Sequence, residues 1–121
     1  MSSFHQTNKW DLMVPTTDTV EDLKERAAAI VAQCVRSQEP VCVVMVHTPS
    51  TEQLADLQKL ATRVALVGGQ LGLMLQVVPA LKKAGFKVVE AITDRVSVEE
   101  TQPDGTVIKK SIFKHEGLRT L

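Results

Sequence analysis

The hydrophobic pattern of this chain predicts two similar strand–loop–helix units in its first half. Residues 12–31 and 44–63 each contain an apolar run, a hydroxyl-rich loop and an amphipathic helical segment. At a constant offset the two segments share five residue types: Met13 and Met45, Val14 and Val46, Thr16 and Thr48, Thr19 and Thr51, Ala29 and Ala61. If both strands lie parallel in one sheet, both loops meet at its carboxyl edge, where open α/β sheets usually bind ligands. The pattern indicates the place of a site and not its reaction.

Strand and helix signals alternate over the first 46 residues. Residues 1–8 are polar and are predicted to form a disordered tail, while 9–14 form a first strand that ends at Pro15. A helix capped by Thr17 or Thr19 follows, because its apolar positions recur at three- and four-residue steps: Val20, Leu23, Ala27, Ile30, Cys34 and Val35. Residues 41–46, VCVVMV, are continuously apolar, which is typical of a central strand buried on both faces.

A second helix is predicted from Ser50, with Gln53 placed to complete a capping box. Its apolar stripe is Leu54, Leu57, Leu60, Ala61 and Val64, and Gly68-Gly69 breaks it. Residues 70–84 favour another helix; the alternative is a hairpin turning at Gly68-Gly69, with only 79–84 helical. As a helix, this segment is apolar nearly all round, so either the fold or another subunit buries it.

The last third of the chain predicts a long β-hairpin. Strands over 86–101 and 106–115 are joined by Gln-Pro-Asp-Gly, which suits a type I turn with a bulge at its glycine. The resulting register pairs Val96 with Ile112, Glu99 with Lys109, Asp94 with Lys114 and Ser97 with Ser111. The whole pattern predicts a single α/β domain over 9–121, in the order β-α-β-α-α-β-β. Its mixed sheet has about four strands, with helices packed on it.

Composition narrows the possible partners. The formal net charge is zero and aromatic residues make up 3% of the chain, which disfavours binding of nucleic acid to a basic face or to stacking platforms. Cys34 and Cys42 form no CxxC motif, so two buried thiols in a reducing cytoplasm are favoured over a redox or metal pair. Residues 64–81 carry no formal charge, but their glycines, glutamines and proline disfavour a membrane span. We expect a cytoplasmic protein without a metal or cofactor.

The candidate site is the loop that leaves the buried strand at residues 47–51. Free N–H groups and hydroxyls at a helix start favour an anion, and His47 could serve as a cation, a donor or a general base. Together with the paired loop, the expected ligand-binding residues are His47, Thr48, Ser50, Thr51, Thr16 and Thr17. Asp18 would repel an anion, and neither loop has the glycines of a P-loop or dinucleotide fingerprint. Simple helix capping is the alternative role of these residues.

Three hypotheses follow. The favoured one is an anionic small molecule, phosphate- or nucleotide-like, bound at the paired loops. The alternative is a homo-oligomeric interaction or regulatory module, most simply a dimer, assembled through residues 64–81 or the hairpin. The third is an enzyme acting on a phosphorylated compound, which would need His47 or a carboxylate in a pocket with a perturbed pKa. No catalytic residue is assigned, and a protein without catalysis is favoured.

Overall fold

The computed structural model describes residues 4–60 and 63–121. The elements in chain order are β1 His5–Gln6, α1 Lys9–Leu12, α2 Val20–Ser37, β2 Val41–Val44, α3 Thr51–Gln58, β3 Val64–Val67, α4 Leu71–Lys83, β4 Lys87–Thr101 and β5 Val107–Thr120. Within the described ranges, no helix is long and apolar enough to cross a membrane.

The five strands form one mixed sheet in the order β1-β2-β3-β4-β5. The first four strands are parallel, and β5 runs antiparallel to β4. Because helices cover the central strands on both faces, β2 and β3 are buried along their whole length. The predicted α/β class, mixed sheet, single domain and C-terminal hairpin are confirmed. The sheet has five strands rather than four.

The predicted first strand over 9–14 is wrong, because most of this segment is the short helix α1. The Asn8 side chain caps that helix by accepting a hydrogen bond from the Trp10 N–H, 2.9 Å away. The true first strand, His5–Gln6, lies in the segment expected to be disordered and pairs with β2. The Thr7 N–H continues the pairing to Val43 O at 2.8 Å, and Thr7 is 2% exposed. Residues 5–7 are thus held by backbone pairing that their polar side chains do not reveal.

The second helix is shorter than predicted, and a strand follows it. Ser50 and Gln53 cap α3 as expected, but α3 ends at Gln58 and Val64 belongs to β3. Leu57 and Val64 are seven residues apart, a spacing that also fits one face of a helix. For this reason the short apolar run VALV was assigned to the helix rather than to a strand. Ala61, the remaining stripe position and a match in the proposed repeat, lies outside the described residues. The preferred helix over 70–84 is confirmed as α4, which Gly85 follows at φ 97°.

The helices divide between the two faces of the sheet. On one face α2 and α4 contact each other and bury Cys42, Ala65 and Val88. On the other face Leu57 of α3 lies among alternate residues of the same strands, including Val43. Since the parallel strands advance in one direction, the crossover through α3 has the opposite hand to the other two. Crossovers of parallel strands are nearly always right-handed, so the sheet contains an exception to that rule.

The predicted hairpin register is confirmed at all four pairs, from Asp94–Lys114 to Glu99–Lys109. At the turn, the Gln102 N–H donates to Thr106 O at 2.7 Å, and Gly105 has φ 89°. β5 extends to Thr120, beyond the predicted end at residue 115. A register shift between Ile92 and Thr93 leaves one extra residue on β5. Thr93 still pairs with His115 in the register that runs from the turn, and the bulge lies just beyond this pair.

Candidate functional site

The N-terminus of α3 offers two unpaired backbone donors. The Gln53 N–H donates to Ser50 Oγ at 3.2 Å, and the Ser50 N–H donates to Gln53 Oε1 at 3.0 Å. This reciprocal capping box satisfies two of the donors that a helix start leaves free. The N–H groups of Thr51 and Glu52 have no acceptor in the described part of the chain. Both are available to an anion, and the helix dipole favours one there.

A histidine–aspartate pair lies beside this helix start. His115 Nε2 is 2.7 Å from Asp56 Oδ2, although the two residues are 59 positions apart. The His115 side chain is 10% exposed and the Asp56 side chain is 34% exposed. The second ring nitrogen, Nδ1, is buried and has no hydrogen-bond partner among the described residues. A buried polar nitrogen without a partner costs free energy, so it favours an added partner.

The start of α3 and His115 border the same pocket. The pocket has a volume of about 480 Å³ and is lined by Ser50, Thr51, Glu52, Gln53, Thr93 and His115. β5 brings His115 to the pocket, because His115 pairs with Thr93 on the face of the hairpin that α3 covers. Asp56 lies one turn further along α3 and holds the ring by its Nε2. The hydrogen bond from His115, followed by the nearby Lys59 ammonium, holds the pKa of the Asp56 carboxyl below its usual range. Asp56 is therefore a carboxylate near neutral pH, which favours an Nε2–H donor on His115.

The chemistry of the pocket suits a small ligand with an anionic end. The lining residues include three that carry hydroxyl groups, Ser50, Thr51 and Thr93. The two free backbone donors belong to Thr51 and Glu52, which also line the pocket. Glu52, on the same helix turn, carries a negative charge that opposes an anion and limits its affinity. A histidine held by a carboxylate, as His115 is by Asp56, is also an arrangement that acid–base catalysis uses. No hydroxyl is hydrogen-bonded to His115 within the described residues, so the geometry supplies no activated nucleophile.

The predicted site residues divide into three groups. Ser50 and Thr51 line the pocket. His47 and Thr48 belong to the same loop but are exposed, and neither is among the lining residues. Thr16 and Thr17 form an exposed turn before α2 and contribute nothing to this pocket.

The structure does not join the two loops into one site. α2 and α3 begin at the same edge of the sheet but pack on opposite faces. At α2, Asp22 already accepts from the Thr19 N–H at 2.9 Å, and Asp18 is paired with Arg26 at 3.2 Å. The concavity next to these groups is lined mainly by acids: Asp11, Asp18, Asp22, Glu25, Arg26 and Ala29. An anion has no favourable position at this loop.

Cys34 and Cys42 are free thiols in the core, as the favoured interpretation predicted. A hydrogen bond with Cys42 and burial raise the pKa of Cys34. The hydrogen bond from Cys34, which outweighs burial, lowers the pKa of Cys42 to about 7. Among residues 4–60 and 63–121, no group of three or more His, Cys, Asp or Glu side chains could hold a metal ion.

Neither His115 nor Asp56 was predicted from the sequence as a site residue. His115 was seen only as the end of a strand, and Asp56 stands on an exposed-looking helix position. Neither belongs to a local motif, because the contact joins residues far apart in the chain. The usable signal was the hairpin, whose register continues to Thr93 opposite His115 but does not give the neighbour of His115 on α3.

Comparison with known proteins places the chain in a family. The model of the Uncharacterized protein MJ1673 family matches residues 46–119, well over half of the chain, and the chain belongs to that family. No curated protein and no solved structure matches it. The matched region runs from the loop before α3 to the end of β5. It includes every residue that lines the pocket and excludes the loop at Thr16 and Thr17.

Proposed function

We propose that this member of the MJ1673 family binds an anionic small molecule, phosphate- or carboxylate-bearing, in the pocket at the start of α3. The observation that carries the proposal is the nearly buried His115, whose Nδ1 lacks a partner, in the same pocket as the free N–H groups of Thr51 and Glu52. In this proposal the loop before α3 binds the anion, as its sequence led us to expect. The paired loop before α2 takes no part in binding.

Charge and hydrogen bonding support this assignment. The anionic end of the ligand accepts from the Thr51 and Glu52 N–H groups, where the dipole of α3 contributes roughly 0.3–1 kcal/mol. Each charge-assisted hydrogen bond adds about 1.5–3 kcal/mol. His115, held by Asp56, lines the same pocket and lies next to the bound ligand. Since Glu52 opposes the anion, the affinity for a simple ion is low and the rest of the ligand supplies selectivity.

Binding without catalysis is the favoured form of the proposal. An acyl- or phosphoryl-transfer enzyme needs a nucleophile within about 2.6–3.2 Å of its base. The hydroxyls of Ser50 and Thr93 line the pocket, but neither is hydrogen-bonded to His115. The pair His115–Asp56 is the group to examine first if turnover is found.

One substitution tests the backbone donors without disturbing the helix. Thr51 is the first residue of α3, a position that accepts proline, and Ser50 before it is extended at φ −69°, ψ 164°. Thr51→Pro removes one N–H and the hydroxyl, whereas Thr51→Ala removes the hydroxyl alone. In an NMR titration with inorganic phosphate and pyrophosphate, we expect the wild-type amides of residues 50–53 to shift. Thr51→Pro weakens binding about 10- to 100-fold, the loss of one charge-assisted hydrogen bond.

Three further variants complete the test. His115→Gln removes the ring and weakens binding, while Glu52→Gln removes the opposing charge and strengthens it. His47→Ala combined with Thr48→Ala is the matched control, because these exposed loop residues lie outside the pocket. If neither anion shifts the amides of residues 50–53, the proposal is wrong. If Thr51→Pro binds as tightly as Thr51→Ala, the backbone donors have no part in it.

Two expectations from the sequence are proposed alongside this function. The protein is a homo-oligomer, most simply a dimer, and its compartment is the cytoplasm. Two free cysteines in the core agree with a reducing environment. The zero net charge keeps nucleic acid a disfavoured partner.

A further inference from the structure

The β4–β5 hairpin extends far beyond the parallel sheet. β4 pairs with β3 only through residues 87–89, whereas its pairing with β5 continues to Thr101. We call residues 93–115 the arm. At roughly 3.4 Å per residue, each strand of the arm is about 30 Å long, which is close to the diameter of a small domain. An isolated two-stranded hairpin is only marginally stable in water.

One face of the arm is apolar at its centre. Val96 lies opposite Ile112, and the alternation of the strands places Val98 and Ile108 on the same face. Ile108 and Ile112 are 45% and 47% exposed. We call this face, with its flanking charged residues, the arm face. Apolar side chains this exposed on a narrow ribbon indicate a surface that a partner covers.

The charges of the arm face are divided between its strands. β4 contributes Asp94 and Glu100, and β5 contributes Lys110 and Lys114. Asp94 lies opposite Lys114, and Lys110 forms an ion pair with Glu100. The face therefore has an acidic strand, a basic strand and no net charge. An acidic or basic partner would match only half of it.

The apolar surface continues beside α4, on the side of the sheet where the arm face begins. A groove of about 460 Å³ lies between α4 and the base of the hairpin, bordered by Leu71, Leu75, Val78, Pro79, Glu90 and Leu121. Leu71 is 72% exposed and Leu75 is 63% exposed. α2 and α4 pack side by side on this face of the sheet and contact each other. The hairpin strands beyond the groove are not covered by either helix.

We propose that the arm face binds the arm face of a second copy of this chain in a two-fold symmetric dimer. A two-fold axis parallel to the arm strands places β4 of one copy over β5 of its partner. Acidic residues then face basic residues on both sides of the apolar centre, so the surface is complementary to itself. A net charge of zero on each copy means that no long-range repulsion opposes this association.

The dimer does not depend on the pocket at α3. His115 and Thr93 occupy the face of the hairpin that α3 covers, opposite the arm face. The two proposals can therefore fail separately. Dimerisation leaves the pocket open, and phosphate titrations are expected to give the same result for a dimeric and a monomeric variant.

Sedimentation equilibrium at micromolar concentration tests the dimer. We expect twice the 13.3 kDa chain mass for the wild type and a single-chain mass for Ile112→Glu. Val107→Glu is the matched control, because Val107 is on the opposite face of the arm and is 55% exposed. It remains dimeric. A wild-type protein of single-chain mass, or loss of the dimer in the control alone, overturns the proposal.

A charge exchange keeps the test decisive if Ile112→Glu fails to fold. One variant combines Asp94→Lys with Glu100→Lys, and the other combines Lys110→Glu with Lys114→Glu. Each alone is expected to be monomeric, because like charges face each other in its dimer. Mixed in equal amounts, they form a heterodimer whose mass native mass spectrometry distinguishes from either homodimer. Two variants that each remain dimeric, or a mixture that remains monomeric, contradict the arm interface.

Discussion

Leu57→Ala is expected to destabilise the fold strongly, because Leu57 is the most deeply buried contact between α3 and the sheet. Leu57 is fully buried, whereas the other residues of α3 are partly or largely exposed. Its side chain belongs to the apolar cluster that includes Val43 and Leu66. The same helix carries Asp56 and the pocket residues, so its anchoring also positions the proposed site.

The expected loss of stability follows from the buried volume. Removing three carbon atoms from a fully buried leucine costs about 2.5 kcal/mol of transfer free energy, at roughly 0.8 kcal/mol per CH₂. The cavity adds to this cost, because strands on one side and helix backbone on the other limit collapse. The sum is about 3–4 kcal/mol, a large part of the roughly 5–15 kcal/mol that stabilises an ordinary domain.

Urea denaturation followed by far-UV circular dichroism measures this loss. The midpoint is expected to fall while the slope with denaturant stays unchanged. Val20→Ala is the control, since Val20 is 57% exposed at the start of α2 and its loss should change stability by less than about 0.5 kcal/mol. A loss below about 1 kcal/mol for Leu57→Ala would refute the inference that α3 is held by a packed layer against the sheet.

Three other predictions follow from single groups. Thr19→Ala removes the side-chain cap of α2 and should cost about 1 kcal/mol, measured by thermal denaturation. The pKa of Asp56 is lowered in the folded protein, first by its hydrogen bond with His115. Ionised Asp56 therefore stabilises the fold at pH values above its unfolded-state pKa, and this contribution is lost as the pH falls below about 4. Asp56→Asn should remove that part of the acid dependence of the unfolding midpoint. Cys34 and Cys42 are fully buried, so Ellman's reagent should react only as fast as the native fold opens, and immediate reaction would contradict their burial.

The hairpin shows how far local chemistry alone can predict structure. The turn sequence determines which two residues pair first, and side chains then alternate between the two faces along each strand. Each further pair is found by moving one residue along both strands. The predicted pairs from Asp94–Lys114 to Glu99–Lys109 are accordingly confirmed. The predicted strand ended at His115, whereas β5 continues to Thr120 past a bulge that no local signal marks.

The start of the chain shows the opposite case. His5 and Gln6 have no strand-like side chains, yet backbone pairing with β2 makes them a strand. The similar pattern of residues 12–31 and 44–63 correctly indicated two helix starts at one edge of the sheet. It did not reveal that the crossover through α3 has the opposite hand, and this separates the two loops onto opposite faces.

The sequence by itself determined the α/β class, the helices α2 and α4, the Ser50–Gln53 capping box of α3 and the hairpin register. These features depend on neighbours within a few positions or on one turn. Only the tertiary structure decided that Ser50 and Thr51 share a pocket with His115, and that Thr16 and Thr17 do not. The physical reason is that the contact of His115 with Asp56 depends on strand order and on the face of the sheet on which α3 packs. None of these is encoded by residues adjacent in the chain.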